Sequence, residues 1–160
     1  MKCLPLLAFA ALAACSPQVA QSGASAPAVE SAARHPVSGL EVIPLTVMDS
    51  GKMYRFRVEV AASDEEQARG LMFRTAMGPD EGMLFPRKPA RMASFWMKNT
   101  VIPLDIIFIG TDRRIINIEA NAEPYSLEPR QSAGLAIAVL ELNGGRAAEL
   151  GIGPGAKVDW

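Results

Sequence analysis

The chain has 160 residues, of which 49% are apolar and 21% are charged, and its net charge is −1; these are ordinary values for one globular domain. Its one histidine, His35, and its two cysteines, Cys3 and Cys15, all lie at or before residue 35, which excludes Cys/His zinc sites, Ser-His-Asp or Cys-His catalysis and a disulfide framework from the rest of the chain. The near-neutral charge gives no basis for nucleic-acid binding, and we expect neither a metal nor a cofactor.

The chain begins with a targeting segment. Residues 4–14 form an apolar run that ends at Cys15, and this run is shorter than the roughly 20 residues of a membrane-spanning helix. Its end, from Leu12 to Cys15, resembles the lipobox of bacterial lipoproteins. That resemblance implies a signal peptide over residues 1–14 and acylation of the Cys15 thiol, and Ser16 after the cysteine favours the periplasmic face of the outer membrane. An ordinary secretory signal is the alternative.

Residues 15–39 are predicted to be the lipidated cysteine and a flexible tether. Sixteen of the 24 residues from Ser16 to Gly39 are Ala, Ser, Pro or Gly, and such a segment buries too little apolar surface to offset its ordering entropy. His35 is therefore expected to be a solvated linker residue. Residues 40–160 remain as a single globular domain.

The first half of this domain combines a hairpin, a helix and a loop. Strict alternation over residues 53–60 predicts a strand with one wet face that includes Glu59, paired with a strand over residues 40–48. A capping-box pattern predicts a helix from Asp64 to about Met72. Residues 75–91 carry three prolines and two glycines, which indicates a loop that contains at most a short strand.

The second half is predicted to be strand-rich. A helix is expected over residues 145–150, and strands are expected over residues 92–97, 104–109, 114–119, 136–142 and 156–159. Six or seven strands with two short helices and no βαβ rhythm predict an α+β fold, mainly antiparallel β, barrel-like or sandwich-like.

Five ordered blocks carry a family resemblance. They are EQARGLMFR (residues 66–74), GMLF (82–85), FWMKNT (95–100), IPLDIIF (102–108) and VLELNGG (139–145). Together they resemble domain-of-unknown-function family 192, also called uncharacterised protein family 0127, over about residues 54–159. The resemblance implies a small, mainly β domain of a kind that is often secreted or membrane-attached, and it implies no particular activity.

Two carboxylates stand within apolar strands. Asp105 and Glu141 are each flanked by aliphatic residues, and a buried carboxylate must be paired, hydrogen-bonded or neutral. Arg69, Arg74 and Lys98 are the candidate partners. The two carboxyls are candidate catalytic groups, an acid and a base, or structural groups that bind arginine or backbone N–H.

A polar-aromatic cluster follows at residues 95–100. On a strand, Trp96 and Lys98 would share one face, where with Asn99 and Thr100 they could bind a sugar or a peptide. The alternative is that Trp96 fills the core while Asn99 and Thr100 form a turn.

Four cations without an intervening acid lie in or just before this cluster: Arg87, Lys88, Arg91 and Lys98. They could recognise an anionic glycan, a phosphate or a lipid headgroup. A solvated basic loop is the alternative interpretation.

Three hypotheses follow for the function. The first is a non-catalytic binding or accessory module, anchored to the membrane through Cys15, that binds an envelope glycan, peptide or protein in a cleft near Arg69, Arg74 and residues 96–100. The second is a carboxylate-dependent hydrolase or lyase that uses Asp105 and Glu141. The third is a purely structural domain that stabilises a neighbouring complex.

Overall fold

A computed structural model of the chain describes residues 33–160 together with Met1. The rest of the predicted signal peptide, Cys15 and most of the predicted tether lie outside the described residues. Within the described part, no helix combines the length and the apolar character needed to cross a membrane.

Residues 33–160 form ten strands and two short helices. In chain order they are β1 (Ala33–Arg34), β2 (Glu41–Asp49), β3 (Lys52–Val60), α1 (Asp64–Arg69), β4 (Glu81–Arg91), β5 (Ser94–Phe95), β6 (Leu104–Gly110), β7 (Ile115–Ala122), β8 (Arg130–Gln131), β9 (Ala136–Asn143), α2 (Arg146–Leu150) and β10 (Lys157–Asp159). The predicted α+β class, mainly antiparallel with two short helices, is confirmed.

Eight of the strands form one sheet in the order β1-β2-β3-β4-β9-β6-β7, with β10 paired to β2, while β5 and β8 form a separate small sheet. The sheet is open along this order. β10 nevertheless links its two sides at one end, because Lys157 also bridges to Arg114 and the Ile115 N–H donates to the Ala156 carbonyl at 2.9 Å.

The domain begins earlier than the sequence indicates. Ala33 and Arg34 pair with Val42 and Glu41 of β2, and His35 is partly buried rather than solvated. The end of the predicted tether, residues 33–39, is therefore folded against the sheet. The pairing uses backbone groups, which a compositional argument does not detect.

The prediction of a loop over residues 75–91 is wrong, because β4 runs for eleven residues through its prolines. β4 pairs with β3 only as far as Leu84, so Pro86 and Pro89, which have no backbone N–H, lose no hydrogen bond to β3. On the other edge of β4, the register with β9 shifts between Pro86 and Arg91. The β3–β4 pair is parallel, with α1 in the connection. One βαβ unit thus interrupts the predicted antiparallel order.

The two faces of the sheet carry two separate apolar clusters. The first cluster includes Phe56, Ile107, Leu140 and Val158 and packs against Ala147 of α2. The second cluster lies on the other face of β4, β9 and β6 and contains Leu71, Met83, Phe85, Ala93, Met97, Ile106, Phe108 and Val139. The segments that follow α1 and β4 cover this second cluster, and the candidate site lies among them.

Candidate functional site

A cavity of about 190 Å³ lies over the second cluster, between the end of α1 and the segment that contains β5; we call it the small cavity. It is lined by Gln67, Ala68, Arg69, Gly70, Leu71, Met72, Phe85, Arg87, Ser94, Phe95, Trp96, Lys98, Thr100 and Glu141. Four of the predicted site residues (Arg69, Trp96, Lys98 and Thr100) and one predicted catalytic candidate (Glu141) therefore meet around one space.

Glu141 contributes a buried carboxyl to this cavity. Its neighbours across the sheet are Met83 and Ile106, both fully buried, and only 4% of Glu141 is exposed. Among the described residues its carboxyl has neither a hydrogen-bond partner nor an ion-pair partner, and its oxygens are not among the fully buried unpartnered atoms, so they are open to the cavity. Burial in these apolar surroundings raises the pKa of Glu141 to about 8, so the carboxyl carries a proton at neutral pH.

Trp96 and Lys98 stand on the open side of the cavity. Only Ser94 and Phe95 of the predicted strand 92–97 are in a strand, yet the predicted alternation holds locally. Met97 is fully buried, whereas 51% of Trp96 is exposed, so Trp96 is not a core residue. The Lys98 Nζ lies 5.1 Å from the centroid of the Trp96 ring, close enough for a cation–π contact.

Asn99 and Thr100 have structural roles in a turn. Asn99 has a φ of 56°, and its carbonyl accepts from the Phe73 N–H at 2.8 Å. The Thr100 N–H donates to the Met97 carbonyl at 3.1 Å. Thr100 is buried and lines the small cavity, whereas Asn99 does not line it, so the turn interpretation describes Asn99 better than the ligand-binding one.

Two arginines from different elements, α1 and β4, border the cavity. Arg69 is the last residue of α1 and is exposed. The Arg87 guanidinium lies 5.3 Å from the centroid of the Phe95 ring, and its Nε is buried without a hydrogen-bond partner among the described residues. Burial, and secondarily the charge of Arg91, lowers the pKa of Arg87 below its usual range.

Asp105 lies on the opposite face of the sheet. Because successive side chains of a strand point to opposite faces, Asp105 lies on the same face as Ile107 and the first cluster, whereas Ile106 lies on the other face. Asp105 is fully buried. Its carboxylate accepts backbone N–H groups of Asn121, Gly145 and Ala147, each at 2.8 Å. Asp105 therefore holds the start of α2, and the structure does not bring Asp105 and Glu141 together as the predicted acid–base pair.

Arg74 is engaged in a buried ion pair rather than in the small cavity. Its Nη1 and Nη2 donate to the two carboxylate oxygens of Glu59 at 2.9 and 3.0 Å, and only 3% of Glu59 is exposed. The Ser38 hydroxyl also donates to Glu59, and the His35 ring lies 3.6 Å from it. The prediction that Glu59 belongs to a wet face is therefore wrong; its partner lies beyond α1, and no local sequence signal indicates it.

A larger cavity of about 830 Å³ adjoins the small one; we call it the large cavity. It is lined by Val37, Ser38, Leu40, Ser63, Glu65, Glu66, Arg69, Gly70, Met72, Phe73, Arg74, Thr75 and Ala76. The two cavities share Arg69, Gly70 and Met72. Within residues 33–160, no group of three or more His, Cys, Asp or Glu side chains is arranged to hold a metal ion.

The comparisons with known proteins agree with this architecture. The family model DUF192, described as "Uncharacterized ACR", matches residues 45–160. A crystal structure of a protein of unknown function from Novosphingobium aromaticivorans DSM 12444 is 57% identical, with a TM-score of 0.80, over 82% of this chain and 94% of that one. A crystal structure of a "putative transcription regulator" from Sinorhizobium meliloti 1021 is 36% identical, with a TM-score of 0.73, over 75% of this chain and 94% of that one. No curated protein matches the chain.

Proposed function

The chain belongs to the DUF192 family, and we propose that it acts as a non-catalytic module of the cell envelope that binds a glycan in the small cavity and across the adjoining large one. The observation that carries this proposal is Glu141. A buried carboxyl without a partner destabilises a fold. Its position at a cavity gives a bound molecule access to the polar group that the protein itself leaves unpaired.

The sizes of the two cavities support a chain-like ligand. Ligand pockets for drug-sized molecules have volumes of roughly 300–1,000 Å³; the large cavity, at about 830 Å³, lies within this range, and the small one, at about 190 Å³, lies below it. The small cavity therefore suits one end group. Since Arg69, Gly70 and Met72 border both cavities, the rest of the ligand can continue into the large one.

The aromatic side chain at the opening supports a sugar. Trp96 exposes half of its surface, and an exposed indole provides a flat apolar face beside a polar N–H. Lys98 lies over this ring and offers three N–H donors to hydroxyl groups. A sugar ring has one apolar face and several hydroxyl groups, so it can stack on the Trp96 indole and accept hydrogen bonds from Lys98.

The arrangement of the carboxyls favours binding over catalysis. Glycosidase-like chemistry requires two carboxyls about 5–10 Å apart in one cleft. Asp105 lies on the other face of the sheet, and Glu141 is the one carboxyl that lines the small cavity. The residues that line the small cavity thus provide recognition groups but not a pair of carboxyls. In the large cavity, which Glu65 and Glu66 line, the Glu66 carboxylate accepts from backbone N–H groups at the start of α1.

The envelope location rests on the amino-terminal sequence. The apolar run of residues 4–14 followed by Cys15 supports a lipid anchor, and two or three acyl chains on one residue give firm membrane attachment. In fractionated cells, we expect the wild-type chain in the membrane fraction and Cys15→Ala in the soluble fraction. A Cys15→Ala variant that stays with the membrane would contradict the anchor.

The binding proposal is tested with the full chain in detergent on an array of envelope glycan and peptide fragments. We expect glycan binding by the wild type and its loss in Trp96→Ala. Met53→Ala is the matched control, because Met53 is also 51% exposed and lines neither cavity. Blank arrays, binding of peptides alone, or equal glycan binding by Trp96→Ala and the wild type would each refute the proposal.

A further inference from the structure

We propose that the small cavity is an anion site, which takes a carboxylate or phosphate group of the ligand between the Arg87 guanidinium and the Glu141 carboxyl. This inference rests on the proposed function, because it assigns a chemical class to the end group that the small cavity holds.

The charges around the cavity support an anion. Arg69, Arg87 and Lys98 line it, and none of the three has a carboxylate within ion-pair distance among the described residues. Arg74 and Arg146, in contrast, are both in ion pairs. A cavity with three unpaired cations attracts an anionic group and repels an ammonium group or a metal ion.

Arg87 supplies a buried donor. Its Nε has no acceptor among the described residues, and its guanidinium is held over Phe95. The guanidinium is only partly buried, so its terminal N–H groups can donate to a carboxylate or phosphate oxygen in the cavity. Arginine also binds both of these groups with two parallel hydrogen bonds, which a lysine at the same position could not do.

Glu141 supplies the second donor. Because burial raises the pKa of Glu141 to about 8, its neutral carboxyl has an O–H to donate at physiological pH, and a hydrogen bond to an anionic oxygen is one of the stronger kinds. The titratable groups that line the cavity around Glu141 are Arg69, Arg87 and Lys98. Glu141 is the one carboxyl among the residues that line this cavity, so its ionisation introduces a negative charge that repels the anion.

The test compares glucuronate, glucose and glucose 6-phosphate by calorimetry on the full chain. Glucose has the same ring without the charge, and the two acids distinguish a carboxylate from a phosphate. At about pH 6 we expect at least one acid to bind about tenfold or more tightly than glucose. In Arg87→Gln this preference is lost, whereas Arg55→Gln, which changes an exposed arginine of β3 that lines neither cavity, keeps it.

The pH dependence provides the second measurement. Wild-type affinity for the acid falls by about tenfold per pH unit above about pH 8, and Glu141→Gln, which keeps an N–H donor and cannot ionise, shows no such fall. Glucose bound as tightly as both acids, an unchanged preference in Arg87→Gln, or the same fall in Glu141→Gln would overturn the anion site while leaving glycan binding intact. A wild type that binds none of the three sugars and no array glycan would overturn the proposed function as well.

Discussion

Replacement of Glu141 by Gln is expected to stabilise the protein at neutral pH. Burial raises the pKa of Glu141 from 4.5 to about 8, so the folded chain binds a proton that the unfolded chain has released. The stability that this proton contributes is fully present below the unfolded pKa, falls as the pH rises, and is lost above the folded pKa. The glutamine variant does not titrate and lacks this dependence.

The magnitude follows from the two pKa values. Between them, each pH unit lowers the free energy of unfolding of the wild type by about 1.4 kcal/mol. The loss is therefore on the order of 3 kcal/mol at about pH 7 and on the order of 5 kcal/mol at about pH 8. Glutamine adds its own cost for an amide without a partner, but this cost is the same at every pH, so the slope with pH is the informative quantity.

Urea unfolding at about pH 5, 6, 7 and 8 measures this slope. We expect the difference in free energy between Glu141→Gln and the wild type to grow steadily over this range and to level off above about pH 8. Glu123→Gln is the matched control, because Glu123 is an exposed carboxyl and its replacement should leave the pH dependence unchanged. A difference between Glu141→Gln and wild type that stays constant from about pH 5 to about pH 8 would refute the argument from desolvation.

Three further substitutions separate structural side chains from those that we propose bind a ligand. Asp105→Asn places an N–H₂ group where one carboxylate oxygen accepted a backbone N–H, so it should lower the free energy of unfolding by about 2–4 kcal/mol. A melting temperature equal to that of the wild type would contradict the structural role of Asp105. Arg74→Met leaves Glu59 buried without its cation and should lower the free energy of unfolding, measured with urea, by about 3–5 kcal/mol. A decrease below about 1 kcal/mol would show that water solvates the Glu59 carboxylate in the variant. Trp96→Ala should change the free energy of unfolding by less than about 1 kcal/mol, since Trp96 is half exposed, and a larger loss would mean that the ring supports the fold.

The elements with strong local signals could be predicted from the sequence. The hairpin of β2 and β3 follows from alternation, and the start of α1 follows from its capping box, in which Ser63 accepts from the Glu66 N–H and the Glu66 carboxylate accepts from the Ser63 N–H. The length of β4 does not follow, because Pro86 and Pro89 are acceptable only where one side of the strand is unpaired. That condition depends on where β3 ends, which is a property of the whole sheet.

The candidate site was predictable in its residue types but not in their grouping. Trp96 and Lys98 share a face because they are two residues apart, and the local pattern shows this. The separation of Asp105 from Glu141 depends on the registers of β6 and β9 across the sheet, because a shift of one residue would exchange their faces. Arg74 is likewise excluded from the small cavity by a partner fifteen residues earlier, whose burial the alternation of β3 did not indicate.

Three carboxyls of this domain are buried, and they differ in their hydrogen-bond partners. Glu59 receives two hydrogen bonds from Arg74, and Asp105 receives three from the backbone. Both carboxyls therefore stabilise the fold that buries them. Glu141 is buried to a similar extent but has no such partner among the described residues, although loops, a strand and α2 of the same domain supply partners to the other two. An apolar residue at this position would avoid the free-energy cost of burying a carboxyl, which agrees with the proposal that Glu141 serves a ligand rather than the fold.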